Sequence, residues 1–123
     1  VYKWDGTVWA QQGGDLDGEV FDDYQGSSVS LSKYGTTLAV GAYGHDSNKG
    51  TVRLYQYNSN SWVQLGADLD GDSINDYQGR SVSLSADGLT LAVGANGVNS
   101  NMGAARVYKY DSSTWTKLGE DIN

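Results

Sequence analysis

The 123-residue sequence has no cysteine and no proline, and it has only one histidine. Without cysteine, neither a disulfide framework nor a zinc–thiolate site holds the fold together. No apolar run approaches the about 20 residues that span a bilayer, so we expect no membrane insertion. Basic residues are also few, eight against fifteen acidic ones, and the net charge of −7 argues against nucleic acid as a partner.

The sequence does contain an internal repeat with a period of 53 residues. The period is marked by aromatic residues at matching positions: Trp9, Trp62 and Trp115, and Tyr2, Tyr55 and Tyr108. The register holds without a gap along the chain, and roughly half of the positions in one copy are identical in the next. We therefore divide the chain into a partial repeat (residues 1–17), repeat 1 (residues 18–70) and repeat 2 (residues 71–123).

Each full repeat predicts four short strands, which we name A to D in chain order. Val29 and Leu31 alternate with serines, which is the period of two expected of strand A, and the apolar run Leu38–Ala42 predicts a strand B buried on both faces. The predicted strands are A at Ser28–Ser32 and Ser81–Ser85, B at Thr37–Ala42 and Thr90–Ala95, C at Val1–Trp4, Thr51–Tyr57 and Ala104–Tyr110, and D at Trp9–Gly13, Trp62–Gly66 and Trp115–Gly119.

The predicted fold class is all-β. No segment has apolar residues at helical spacing over two turns, so we expect no helix longer than one turn. Four antiparallel strands in a unit of about 40–50 residues are typical of a β-propeller blade. On this interpretation the chain holds about two and a third blades, and residues 1–17 supply strands C and D of a preceding blade.

The order of motifs resembles the FG-GAP repeat of integrin-alpha-type propellers. Repeat 1 reads G-x-S-V-S-L-S from Gly26, L-A-V-G-A from Leu38 and G-x-V-R-x-Y-x-Y from Gly50. The Phe-Gly of the family is Gln25-Gly26 here, and Tyr43 stands where the family has proline after Gly-Ala. The resemblance implies a propeller, typically of about seven blades, at a cell surface or in a secreted protein. In the family's calcium-binding members the calcium loop lies between strands A and B, where this chain has only short glycine turns.

Two acidic stretches connect strand D of one repeat to strand A of the next. Oxygen ligands at alternate positions, with glycine allowing a sharp turn, are what Ca²⁺ coordination needs. The alternative is an Asp-Gly turn whose carboxylates accept hydrogen bonds from backbone N–H groups. Both interpretations stay open for the candidate ligands, which are Asp15, Asp17, Glu19, Asp23, Asp68, Asp70, Asp72 and Asp76.

Arg53 and Arg106 occupy the same position in strand C of the two repeats. A charge within a strand that packs between blades must be paired. We expect these arginines to pair with Asp23 and Asp76, which stand just before strand A, or to bond carbonyl groups of the D–A loop. The alternative is that each arginine points into solvent, as most arginines do.

The loops between strands B and C differ most between the repeats. In a four-stranded blade they emerge on the same face as the D–A loops, and function concentrates on such loops. The candidate binding residues are Tyr43, His45, Asp46, Asn96 and Asn99. Catalysis is disfavoured, because no serine elbow, cysteine or second histidine completes a catalytic set, and we expect His45 to be a solvated loop residue.

The recurring Trp9, Trp62 and Trp115 allow two interpretations: stacking on sugars, or packing in the outer part of the blade, which one repeated strand position favours. The function most in keeping with the resemblance is a non-enzymatic structural or adhesion scaffold. The alternatives are a glycan-binding propeller and the non-catalytic part of a propeller enzyme. The expected partners are further repeats or identical chains, with a glycan or an extracellular protein as further candidates.

Two blades cannot close a ring. Faces lined by Val29, Leu38, Val82 and Leu91 are therefore expected to be partly bare, and repeat proteins need neighbouring units to bury such faces. We expect the chain to be a segment of a longer repeat protein, or several chains to complete a ring or a filament. An isolated, well-folded monomer with cooperative melting would contradict this expectation.

Overall fold

The structure is a computed structural model that describes all residues from Val1 to Asn123. Its strands are β1 (Tyr2–Trp4), β2 (Trp9–Gln11), β3 (Ser28–Leu31), β4 (Thr37–Ala42), β5 (Thr51–Asn58), β6 (Ser61–Gln64), β7 (Leu69–Asp70), β8 (Gln78–Leu84), β9 (Thr90–Ala95), β10 (Ala104–Tyr110) and β11 (Trp115–Lys117). All strand pairs within the sheets are antiparallel, so the predicted all-β class is confirmed.

The strands form three separate sheets, none of which closes on itself. Strands β1 and β2 form a hairpin, repeat 1 forms the sheet β3-β4-β5-β6, and repeat 2 forms the sheet β8-β9-β10-β11. In both full repeats the strands pair in chain order, so they correspond to the predicted A, B, C and D. Equivalent residues pair in the same register, for example Val29 with Val40 and Val82 with Val93.

The strand boundaries differ from prediction at strand D and at β8, which begins at Gln78, three residues before the predicted Ser81. Strands β6 and β11 end at Gln64 and Lys117, because the chain soon reaches Gly66 and Gly119 with φ of 84° and 70°. These left-handed values interrupt an extended strand, and glycine adopts them without steric cost. The two-residue strand β7 was not predicted; it turns back to pair with the start of β5, and a bridge between Ala105 and Ile122 takes its place in repeat 2.

The B–C loops contain the only helical segments, α1 (His45–Asn48) and α2 (Val98–Asn101). Each is a single turn, as predicted. The last three residues of each turn have positive φ, so neither turn is a regular right-handed helix. No helix of the chain has the length and apolar character required to cross a membrane.

The sheets of repeats 1 and 2 pack face to face. Their shared core is made by Ala39, Val52, Leu54, Leu69, Leu91, Val93, Tyr108 and Trp115, all of them buried. The small residues of strand B allow the close approach. A side chain at Gly41 would overlap the backbone carbonyl of Gly79 in the next sheet, so the glycine of the L-A-V-G-A motif is required by the contact between repeats.

The tryptophans of strand D connect successive sheets. Trp62 Nε1 donates a hydrogen bond to the carbonyl oxygen of Gln12 at 2.8 Å, and Trp115 Nε1 donates one to Leu65 at 3.0 Å. Gln12 and Leu65 are themselves equivalent positions, so the bond recurs with the repeat. Trp115 is buried, whereas Trp9 is 66% exposed and makes no such bond. The packing interpretation therefore describes Trp62 and Trp115.

Candidate functional site

The D–A and B–C loops contact each other at one end of each sheet. In repeat 1, Gly44 N–H donates a hydrogen bond to the carbonyl oxygen of Asp23 at 3.2 Å, and in repeat 2, Gly97 N–H donates to Asp76 at 3.0 Å. Both glycines are needed there, because a Cβ atom would overlap the backbone of the facing loop. The two predicted loop sets therefore form one continuous loop face on each repeat.

Asp23 and Asp76 organise their own loops. Asp23 accepts hydrogen bonds from the N–H groups of Glu19 and Val20 at 3.0 and 3.2 Å. Asp76 accepts the equivalent pair, from Asp72 and Ser73, at 3.1 Å each. Because both carboxylates are buried and bonded to backbone, they follow the turn-capping interpretation.

The pKa of Asp23 is lowered despite its burial. Burial raises the pKa of a carboxyl, but the hydrogen bonds from Val20 N–H, His45 and Glu19 N–H favour the charged form more strongly. The His45 Nδ1 atom lies 3.1 Å from Asp23 Oδ1. His45 is thus partly buried and bonded, and the expectation of a solvated loop residue was wrong, because the sequence does not reveal that the two loops meet.

Arg53 is buried and paired, but not with Asp23. Its Nε lies 2.8 Å from Asp68 Oδ2, its Nη2 lies 3.1 Å from Glu19 Oε2, and its Nη1 donates to Gln25 Oε1 at 2.7 Å. Only 3% of the side chain is exposed. The solvent-facing alternative is therefore wrong, and the expected partner Asp23 is instead used by the loop backbone and His45.

Arg106 makes the equivalent set of contacts in repeat 2. Its Nη2 lies 2.9 Å from Asp121 Oδ2, 2.7 Å from Asp72 Oδ2 and 3.4 Å from Asp76 Oδ2. Its Nη1 donates to Gln78. The expected pair with Asp76 is present, as the longest of the three contacts. We call the two sets the arginine clusters: Arg53 with Glu19, Gln25 and Asp68, and Arg106 with Asp72, Asp76, Gln78 and Asp121.

Asp121 has the most strongly shifted pKa of the clusters. The hydrogen bonds from Arg106 and then Lys117 lower its pKa to about 2, against an opposing effect of burial. Lys117 Nζ lies 2.8 Å from Asp121 Oδ1, and Gln64 donates to Asp68 at 2.6 Å from the equivalent position. The carboxylate that each arginine binds is thus also bonded by a side chain at one equivalent position at the end of strand D.

The clusters account for four of the eight candidate calcium ligands. The guanidinium groups bring positive charge to Glu19, Asp68, Asp72 and Asp76, which is the charge that a cation would otherwise supply. Asp23 is bonded to backbone and His45, while Asp15, Asp17 and Asp70 are exposed. Asp15 accepts a hydrogen bond from Gln11 at 2.9 Å.

One group of side chains could hold a metal ion. Ligand atoms of His45, Asp68 and Asp70 all lie within 4.8 Å of one another. Asp68 is also the ion-pair partner of Arg53, whose positive charge opposes a cation there. In repeat 2 the positions of His45 and Asp70 hold Val98 and Asn123, so the group has no counterpart.

An aromatic cluster not predicted from the sequence surrounds Tyr43. The Tyr24 ring stacks on Tyr43 with centroids 5.0 Å apart and planes at 2°, and Tyr77 lies 6.3 Å away at 54°. The Arg80 guanidinium lies 4.4 Å from the Tyr43 centroid. Tyr24 and Tyr77 occupy equivalent positions just before strand A. This recurrence is the sequence signal from which the aromatic cluster could have been predicted. Of the other predicted loop residues, Asp46, Asn96 and Asn99 are exposed.

The hydrogen bond made by the His45 ring is the one with Asp23. A catalytic triad would in addition need a nucleophile bonded to the other ring nitrogen. Compared with known proteins, the sequence matches no family model and no curated relative.

Proposed function

We propose that the chain is a non-enzymatic β-propeller repeat module of the FG-GAP type, serving as an adhesion or structural scaffold in a surface or secreted protein. The observation that supports this proposal is the recurrence of one hydrogen bond at both junctions between units. The bond from the strand D tryptophan joins the partial repeat to repeat 1 and repeat 1 to repeat 2. Units that stack by one rule build an extended scaffold.

The arginine clusters serve this function by holding the loops rigid. Each buried guanidinium extends from strand C and binds two segments that are far apart in sequence. One is the D–A loop before the sheet, and the other is the acidic residue after strand D. A scaffold needs loops in fixed positions to present a binding surface. Because the chain has a net charge of −7, it would repel a strongly acidic partner. A partner protein of low charge or net positive charge is therefore favoured.

A series of tandem arrays tests the propeller arrangement. Arrays of the repeat 2 unit (residues 71–123) would be made with two to nine copies and compared by thermal unfolding and small-angle scattering. In a propeller, one copy number closes the ring, so the melting temperature rises sharply there and one further copy adds nothing. A melting temperature that rises smoothly with copy number would instead indicate an open solenoid.

The adhesion role needs its own measurement. Beads coated with the closed array would be tested for attachment to extracellular matrix proteins, with uncoated beads and an array unfolded by heat as controls. Attachment that requires the folded array supports the scaffold proposal. Absence of attachment to every matrix protein would leave a purely structural role and remove the adhesive one.

The aromatic cluster favours glycan binding as a second candidate function. Tyr24 is 53% exposed on the loop face, and exposed aromatic rings stack on sugars. A glycan array with the chain and its Tyr24→Ala variant tests this. Tyr34, which is 80% exposed in the A–B turn at the other end of the sheet, provides the matched control. Binding that Tyr34→Ala reduces as much as Tyr24→Ala would exclude the loop face.

A further inference from the structure

Equivalent faces of the two repeats are covered to different extents. In repeat 2, Val82 and Leu84 pack against the core shared with repeat 1. The same positions in repeat 1 are Val29 and Leu31, which are 61% and 46% exposed. Beside them lies an open cavity of about 540 Å³, whose apolar lining includes Val1, Leu16, Val29, Leu31, Leu38 and Val40. Leu38 and Val40 are themselves buried, with Val1 and Leu16 packed against them, so Leu38 is not bare, contrary to expectation. Val29 and Leu31 are the part of this apolar face for which the chain supplies no cover.

The free edge of β1 borders the same place. Strand β1 pairs only with β2, whereas β5 and β10, the equivalent C strands, pair with a strand B on one side and a strand D on the other. A second cavity of about 280 Å³ lies nearby and shares Val1, Tyr2 and Leu31 with the first. An unpaired strand edge beside an apolar face is a template for added strands.

The contact between repeats 1 and 2 shows what fits such a place. There the hairpin β3–β4 covers β8, with Ser28 Oγ donating to the carbonyl of Gly79 at 2.7 Å and Leu84 N–H donating to Ser30 Oγ at 2.9 Å. The turn of the hairpin adds a bond from Lys33 N–H to Ala86 at 3.0 Å. The face of an A–B hairpin that carries its serines and its glycine is thus the surface that packs on strand A of the next repeat.

The groups that would receive such a hairpin are already present on repeat 1. Gly26, Leu31 and Lys33 stand 53 positions before Gly79, Leu84 and Ala86, the three residues that bond the hairpin between the repeats. We call the free edge of β1, together with Val29 and Leu31, the hairpin seat.

We propose that the hairpin seat binds a β-hairpin of this repeat's own type, the A and B strands of another repeat. The inference rests on the stacking rule of the proposed function. A second copy of the 123-residue chain does not supply the hairpin, because both of its A–B hairpins are already paired with their own C strands. A hairpin bound at the seat would complete the partial repeat into a four-stranded sheet. It would repeat the contact that repeat 1 makes with repeat 2.

A prefixed chain tests the proposal. Residues 71–106 are placed directly before Val1, which is in register because Val107, the residue after Arg106, is the counterpart of Val1. We expect amide exchange at Tyr2 and Leu31 to slow by about tenfold or more, and the melting temperature to rise. The control prefix carries Gly94→Val, since the equivalent glycine, Gly41, has no room for a side chain against the next sheet.

Three results would overturn the proposal. Exchange at Leu31 that is unchanged by the prefix means that the hairpin does not bind, and equal protection by the Gly94→Val prefix means that the contact is not the one described. Dimerisation of the unprefixed chain with protection of Leu31 would make a second copy the occupant. Ring closure by tandem arrays is a separate result: arrays that never close would refute the propeller and still leave the seat filled.

Discussion

Removing the guanidinium of Arg106 is the sharpest test of how the loops of repeat 2 are held to their sheet. The side chain is 2% exposed and lies among three carboxylates and a buried amide. In Arg106→Ala, Asp76 and Gln78 remain buried, at 6% and 0% exposure, without their cation. Breaking a buried ion pair in this way costs about 3–5 kcal/mol, so we expect the free energy of unfolding to fall by that amount.

Urea-induced unfolding followed by tryptophan fluorescence measures the change. Arg106→Lys keeps the charge but loses the planar fork that reaches several partners at once, so its loss should lie between zero and that of the alanine variant. Lys109→Ala, at an exposed residue three positions further along β10, is the control and should change stability by at most about 0.5 kcal/mol.

A double-mutant cycle identifies the partner. Arg106→Ala and Asp121→Asn remove the two sides of the contact at 2.9–3.1 Å, and we expect a coupling free energy of about 1–3 kcal/mol. A loss below about 1 kcal/mol for Arg106→Ala would refute the reasoning, because an arginine that is removed at so little cost is not a buried ionic contact.

Three further predictions concern pH, calcium and the contact between the sheets. The folded-state pKa of Asp121, about 2, lies below its ordinary 3.8, so its contribution is complete above about pH 4 and is lost as the pH falls toward 2. The stability of Asp121→Asn should therefore fall less over that window in acid-unfolding curves. Calcium should leave the melting temperature unchanged against EDTA, because a guanidinium group already occupies the cation position among these carboxylates; a shift that Asp68→Asn abolishes would contradict this. Gly41→Val should cost more stability in urea unfolding than Gly94→Val, about 1–3 kcal/mol more, because a side chain at Gly41 meets the backbone of Gly79, whereas one at Gly94 meets only its own sheet. Equal losses would mean that the sheets do not approach as described.

The sequence alone determined the features that depend on local pattern. Both B strands, Thr37–Ala42 and Thr90–Ala95, have the predicted boundaries. A short apolar run bounded by glycine turns predicts a buried strand whose ends lie at those turns. The absence of long helices follows equally from the lack of helical spacing. The repeat itself also predicted that both arginines have equivalent surroundings, which the two clusters show.

The partners of the charged residues were decided by the tertiary structure. Asp23 stands directly before strand A and was the expected partner of Arg53, yet Arg53 binds Asp68 and Glu19. Asp23 instead accepts hydrogen bonds from backbone N–H groups of its own loop, only three and four residues away. The contact of His45 with Asp23 likewise depends on two loops meeting, which no spacing along the chain reveals.

Burial shows the limit of local sequence most directly. Val29 and Val82 stand in the same motif, S-V-S-L-S, and in the same strand register. Val82 nevertheless packs into the core, whereas Val29 is 61% exposed. The motif determines which way each side chain points from its strand. Whether that side chain meets water or another sheet depends on the neighbouring unit, because burial is a property of the surface that covers a residue and not of the residue itself.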